Sequence, residues 1–163
     1  MLALGDSLTA GYDLSRSEGF VAQLQTAIRA RGIRTSMLDA GVSGDTTAGG
    51  RARSNRALAD PPNATIVALG SIDFLRAIPL EVTYASFDDI LRRLAECNIS
   101  ALRAGMLALR NLGAEYVKAF ERVYRRLARE HDVMFMLFFL ERVAGNSIST
   151  SRTGSIRMRA AQG

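Results

Sequence analysis

The stretch LALGDSLTAGY at residues 2–12 places a serine, Ser7, just beyond a short apolar run that ends at Gly5. A hydroxyl in that position has two uses. It caps the turn that follows, or it attacks an acyl carbon, given a base to take its proton and N–H donors to hold an oxyanion. Two further stretches put glycines after apolar runs: AGVSGDTTAGG at 40–50, with Gly44, and VALGSIDFLR at 67–76, with Gly70, Ile72 and Asp73. A base is harder to find. The only histidine is His131, in REHDV, between the last clear helix and the strand after it. A parallel sheet puts that junction at the end away from Ser7, so His131 reads as a surface residue. Arginine never gives up its proton in proteins and cannot replace it.

The elements that would carry these residues alternate. LALG is a strand, and GFVAQLQTAIRARG is a helix with Phe20, Leu24 and Ile28 on one face and Gly32 as its stop. IRTSMLDAGV reads as a second strand, TTAGGRARSNRALAD as a glycine-broken loop entering a short helix, and ATIVALG as a buried strand after Pro61 and Pro62. EVTYASFDDILRRLAEC is an amphipathic helix, with Phe87, Ile90, Leu91 and Leu94 on one side. ISALRAGMLA is a fourth strand. AEYVKAFERVYRRLARE is a helix with Val117, Phe120, Val123, Tyr124 and Leu127 inward, and VMFMLFFL is a fifth strand. Strands separated by helices imply an α/β fold, a flavodoxin-like three-layer α/β/α sandwich around a five-stranded parallel sheet. Ligand sites in such sheets lie beyond the carboxyl ends of the strands, the rim where Ser7, Gly44 and Gly70 all fall.

The 163 residues, 48% apolar and 23% charged, suit one globular domain with its own core. Cys97 is the only cysteine, which leaves no disulfide framework and no cysteine metal site. No apolar run is long enough to span a bilayer and no signal peptide precedes the first strand, so the expected location is cytoplasmic, or periplasmic or secreted if an upstream signal was lost. The net charge of +5 is concentrated in the tail, which holds four arginines and no acid from Arg142 onward. The body is close to neutral, and a specific nucleic-acid partner is not expected.

Taken together, GDSLTAGY, AGVSGDTTAGG and VALGSIDFLR, in that order and spacing, resemble the SGNH or GDSL hydrolases, most closely the small arylesterase and thioesterase/lysophospholipase branch. The resemblance extends over PPNATIVALG, AGMLALRNLGAEYVKAF and FFLERVAG. It implies that Ser7 is the nucleophile and that the backbone N–H groups of Ser7 and Gly44 are oxyanion donors; read by itself, Gly44 also fits a plain tight turn. It further implies a small acyl ester or thioester as substrate, with no metal or cofactor. Two departures follow. Ile72 stands where the family carries an asparagine whose amide is the third donor, while Asp73 remains as an expected hydrogen-bond acceptor for the loop. The family's closing D-x-x-H-P, which supplies the histidine base and its orienting aspartate, corresponds to SISTSRTGSIRMRAAQG, which has neither.

A gene-level slip accounts for that tail. G/C-rich codons for Ile148 to Gly163, regrouped by one base, translate as LNQPDGIHPNARGAG, which restores the missing block; the alternative is a tail that drifted. The expected organisation is a hydrolase-like domain over 1–147 and an aberrant basic tail over 148–163. The family's last helix is then missing, leaving sheet surface open to loose self-association. Arg103 interrupts an apolar strand, and is either buried without a partner or at an edge with its head in water. Two functional readings stand: a serine esterase impaired in its chemistry, and a non-catalytic remnant that binds an acyl ligand at most.

Overall fold

The computed structural model describes residues 1–105 and 113–136. Five parallel strands form one sheet in the order β2-β1-β3-β4-β5: β1 (Leu2–Gly5), β2 (Leu38–Gly41), β3 (Ala64–Ala68), β4 (Ser100–Ala104) and β5 (Met134–Met136). The helices are α1 (Ser7–Ala10), α2 (Phe20–Ala30), α3 (Thr47–Ala57), α4 (Ser71–Leu75), α5 (Leu80–Glu96) and α6 (Ala114–Glu130). This is the expected α/β fold. Right-handed crossovers put α2 on one face, because β1 to β2 steps one way, and α3, α5 and α6 on the other, because the later steps run the opposite way. No described helix is long and apolar enough to cross a membrane.

Strand β1 is buried along its whole length and lies between β2 and β3, with Gly5 level with Gly41 on one side and Ala68 on the other. The core joins Leu2, Leu4 and Val67 to Phe87, Ile90, Leu91 and Leu94 of α5 and Phe120, Tyr124 and Leu127 of α6. Those α5 and α6 positions recur at helical spacing, which is why the sequence pattern exposes them. The α2 face is weaker: Phe20, Leu24 and Ile28 are half-buried, and Val21 is the fully buried residue.

Several expectations are corrected. Helix α3 runs unbroken through both glycines instead of starting after them. Neither has room for a side chain: a Cβ on Gly49 would lie 1.8 Å from Asp45 Oδ1, and one on Gly50 would lie 2.4 Å from Leu69 Cδ1. Their helical cost is offset by this close approach. Strand β2 is confined to 38–41, and as an edge strand it is only partly covered. Helices α1 and α4 are additional. The expected continuations of β4 and β5, and the tail 148–163, lie outside the described residues.

His131 is not a free surface residue. It caps the C-terminus of α6, its side chain is 14% exposed, and its Nε2 sits 2.8 Å from Asp88 Oδ1 on α5. It precedes the amino end of β5, whereas Ser7 follows the carboxyl end of β1, so the parallel sheet holds the two on opposite rims.

Arg103 is fully buried on β4, between β3 and β5, and does not reach water. Its guanidinium is sandwiched by the rings of Phe87 at 3.8 Å and Tyr124 at 3.9 Å. Nη1 donates to the Tyr124 carbonyl at 3.0 Å, while Nε and Nη2 have no partner among the described residues. Burial lowers its pKa from the usual guanidinium range to about 10.

Candidate active site

The chain leaves β1 at Gly5, where a Cβ would lie 1.9 Å from Thr9 Oγ1 and 2.7 Å from the Ala68 carbonyl. Only glycine lets the strand turn this tightly into α1. The cap of α1 is Asp6: its carboxylate accepts from the Leu8 N–H at 3.1 Å. Ser7, relieved of that duty, is the first helical residue and half-buried, and no described residue hydrogen-bonds its hydroxyl. Its backbone N–H, an orphan of the first turn, is likewise unused by any described residue.

Asp6 is itself 1% exposed and accepts a short hydrogen bond from Ser71 Oγ at the start of α4. Burial pushes its carboxyl above the ordinary carboxylate range, opposed by the hydrogen bonds from Ser71 and Leu8 and assisted by the nearby Asp45 charge. Through this pair the end of β1 is clamped to the end of β3.

Gly44 lies in the turn after β2, closed by the Asp45 N–H on the Val42 carbonyl at 3.2 Å. Its φ of +78° is that of the third residue of a type II turn. Nothing lies within 4 Å of a Cβ built there. At Gly5, Gly49, Gly50 and Gly70 protein atoms fill that space; at Gly44 it is open, and no described residue accepts from its N–H.

The third segment follows β3. Gly70 has φ +108°, and a Cβ there would sit 1.9 Å from the Tyr124 hydroxyl, which donates to the Leu69 carbonyl at 2.9 Å. Ile72 is half-buried on α4 and brings an apolar side chain, without a donor, to this part of the rim. Asp73 is fully buried and accepts from the Thr47 N–H at 2.8 Å, from Thr47 Oγ1, and from Thr83 Oγ1 at 3.2 Å. It therefore ties α4 to the first turn of α3 and to α5, the acceptor role its position suggested.

Because β1 lies between β2 and β3, the three strand ends set Ser7 with the Gly44 turn on one side and the Ile72 segment on the other. Close packing reinforces this: a Cβ on Gly41 would lie 2.2 Å from the Ala10 nitrogen, so α1 rests on the end of β2. The rim thus presents a hydroxyl and two N–H groups that no described residue bonds, a set able to attack and hold a carbonyl. Among the described residues no cluster of His, Cys, Asp or Glu could hold a metal ion.

The model of the GDSL-like lipase/acylhydrolase family matches residues 3–154. The chain belongs to that family. Esterase TesA of Pseudomonas aeruginosa is 33% identical over 146 residues, covering 89% of this chain and 73% of that protein. Thioesterase 1/protease 1/lysophospholipase L1 of Escherichia coli is 35% identical over 144 residues, covering 88% of this chain and 68% of that protein. The crystal structure of AlinE4, an SGNH-hydrolase family esterase, superposes with TM-score 0.86 at 39% identity over 94% of this chain and 86% of that one.

Within the GDSL frame, sequence reasoning expected Asp73 to accept but did not find its partners Thr47 and Thr83, and it missed the Asp6–Ser71 clamp and Arg53 of α3. The partners lie far apart along the chain, Ser71 65 residues from Asp6 and Thr47 26 residues from Asp73, so no local pattern reveals them.

Proposed function

We propose that Ser7 is the nucleophile of a carboxylic-ester hydrolase, acting on small acyl esters or thioesters, with the Ser7 and Gly44 N–H groups as oxyanion donors. The observation that carries the reading is the unbonded Ser7 hydroxyl at the start of α1, on a rim where the N–H groups of Ser7 and Gly44 are also unused. Ser7 Oγ adds to the acyl carbon, its proton passes to water, and the carbonyl oxygen takes the negative charge beside those two donors. Collapse expels the alkoxide or thiolate, and water releases the acid from the acyl-enzyme.

Turnover by this chain is weak. Ile72 provides no third donor, and a missing donor of this kind costs about a hundred- to a thousandfold. His131 serves Asp88 on the other rim, and residues 142–163 contain no histidine or carboxylate side chain. A serine site without its base loses roughly a millionfold. These same observations favour, as the second reading, a non-catalytic member that retains only an acyl-binding rim. We assign the domain to 1–147 and attribute the tail 148–163 to a one-base slip; the gene read through codons 145–155 in the neighbouring frame must then encode D-G-I-H-P, and a gene without those codons removes the explanation.

Hydrolysis of p-nitrophenyl butyrate by the purified chain and by Ser7→Ala separates the two readings. A slow rate that the alanine variant abolishes supports the hydrolase; equal rates support the remnant. Turnover at ordinary esterase rates, lost in Ser7→Ala, overturns the impairment.

A further inference from the structure

Resting on the reading of Ser7 and Gly44 above, we propose that Arg53 is the positioning residue that sets the Ser7 and Gly44 arms of the site against each other. Its guanidinium makes three hydrogen bonds, each to a different segment of the rim. Nη2 donates to the Gly5 carbonyl at 2.9 Å, Nη1 to the Ala40 carbonyl at 2.7 Å, and Nε to Asp45 Oδ2 at 2.7 Å. Gly5 is the last residue of β1 and Ala40 lies one residue before the end of β2. Asp45 directly follows Gly44. One rigid plane therefore touches the strand that delivers Ser7, the strand that delivers Gly44, and the residue next to Gly44.

Sheet pairing already joins β1 to β2 from Leu2–Leu38 to Gly5–Gly41. The contacts of Arg53 lie where that ladder stops and the turns begin. There the Gly5 carbonyl also accepts the Val42 N–H at 3.0 Å, so the same oxygen holds the first residue of the Gly44 turn. Asp45 is held from its other side too, its Oδ1 lying against Gly49 in the first turn of α3. The pair is largely shielded, with side-chain exposures of 24% for Arg53 and 12% for Asp45. The neighbouring arginine Arg51 points elsewhere, to Asp89 on α5.

The fork geometry makes the role specific to arginine. A guanidinium presents donors in one plane at fixed angles, whereas a lysine ammonium is a point charge on a flexible stem. Lysine at 53 keeps a charge beside Asp45 and cannot reach both carbonyls in the same pose. The N–H groups of an oxyanion site act only when aimed at the developing charge, and a displacement of about 1 Å costs on the order of a hundredfold. The role of Arg53 is to prevent that displacement.

The test is covalent labelling, which reads attack by Ser7 without requiring turnover. Wild type, Ser7→Ala, Arg53→Lys, Arg53→Met and Arg53→Ala are incubated with ethyl p-nitrophenyl butylphosphonate. Ser7 Oγ displaces p-nitrophenolate from phosphorus and its proton passes to solvent. Nitrophenolate release and intact mass give kinact and KI, and thermal melts report folding. Wild type is expected to label at Ser7, and Ser7→Ala to remain unlabelled. Arg53→Met is expected to label about ten- to a hundredfold more slowly in kinact with KI unchanged. Arg53→Lys is expected to show at least a threefold loss in kinact, and Arg53→Ala to recover rate on adding millimolar methylguanidinium.

The outcomes are distinct. Wild type that does not label at Ser7 overturns the nucleophile reading, and this inference with it. Wild type that labels while Arg53→Met and Arg53→Lys match its kinact overturns the positioning role alone. A loss confined to KI, or one that tracks the melting temperature without guanidinium rescue, shows a merely structural residue and also overturns it. If Arg53→Met does not fold, Arg53→Lys decides by the same rates.

Discussion

Replacing Arg103 by methionine should stabilise the protein. The guanidinium is fully buried, two of its nitrogens have no acceptor among the described residues, and burial lowers its pKa from the usual guanidinium range to about 10. For a cation, that direction means the unfolded chain holds the proton more tightly. The resulting destabilisation is fully present at any pH below about 10. At 1.36 kcal/mol per pKa unit, the drop corresponds to about 3 kcal/mol at neutral pH. Methionine avoids that cost but forfeits two interactions. The hydrogen bond to the Tyr124 carbonyl is worth about 1.5 kcal/mol, and its acceptor keeps a helical partner within α6. Stacking between Phe87 and Tyr124 is worth about 1–2 kcal/mol, of which a thioether on the same rings recovers roughly half. The net is a gain of about 1 kcal/mol, or about 2–4 °C in Tm for a chain of this size. Urea unfolding followed by circular dichroism measures it, with Arg103→Lys as contrast; lysine keeps the buried charge, loses the planar stack, and should be destabilised by several kcal/mol. Should Arg103→Met unfold at lower urea than wild type, the ring sandwich outweighs desolvation and the reasoning fails.

Other outcomes follow from the clamps. Asp73→Ala strands the Thr47 N–H and both threonine hydroxyls in the core, and should cost about 2–5 kcal/mol by chemical denaturation; a cost below 1 kcal/mol would show that the clamp is dispensable. Asp6 has its folded pKa raised above 3.8, so its own contribution to stability should fall as pH climbs from 3.8 through the folded value and then level off. Asp6→Asn, which retains a capping oxygen, should remove that decline in a pH series of urea midpoints. Gly70→Ala forces a Cβ to within 1.9 Å of the Tyr124 hydroxyl at φ +108° and should cost more than about 2 kcal/mol, less once Tyr124→Phe removes the oxygen. Purely additive losses in the Gly70/Tyr124 double-mutant cycle would rule out the contact. Ile72→Asn should raise Ser7-dependent phosphonylation by about tenfold or more if the restored amide reaches the oxyanion; an unchanged rate removes Ile72 from the account of impaired chemistry.

What could be read from the chain is what repeats along it. Leu2 to Leu4 and Ile66 to Leu69 are continuous apolar runs, and Phe87, Ile90, Leu91 and Leu94 recur at helical spacing, so burial is encoded locally and β1, β3, α5 and α6 fall where their patterns lie. Gly49 and Gly50 misled because glycine is a helix breaker only on average; here the space they leave is taken by the Asp45 carboxylate and Leu69, which the local sequence does not reveal. Arg103 shows the same limit. An arginine in an apolar strand is buried or at an edge depending on whether two aromatic rings wait for it, and those rings come from two different helices. The site divides along this line. Ser7 and Gly44 were nominated by the resemblance of the blocks around them to the GDSL pattern. Arg53 was not, since nothing in RARSNR distinguishes the arginine that folds inward from the two that do not. Its direction is fixed by carbonyls 13 and 48 residues away along the chain, and only the folded sheet brings those together. A turn at the end of a strand can therefore be located from a few adjacent letters, while the groups that brace it are written nowhere in particular and must be found in space.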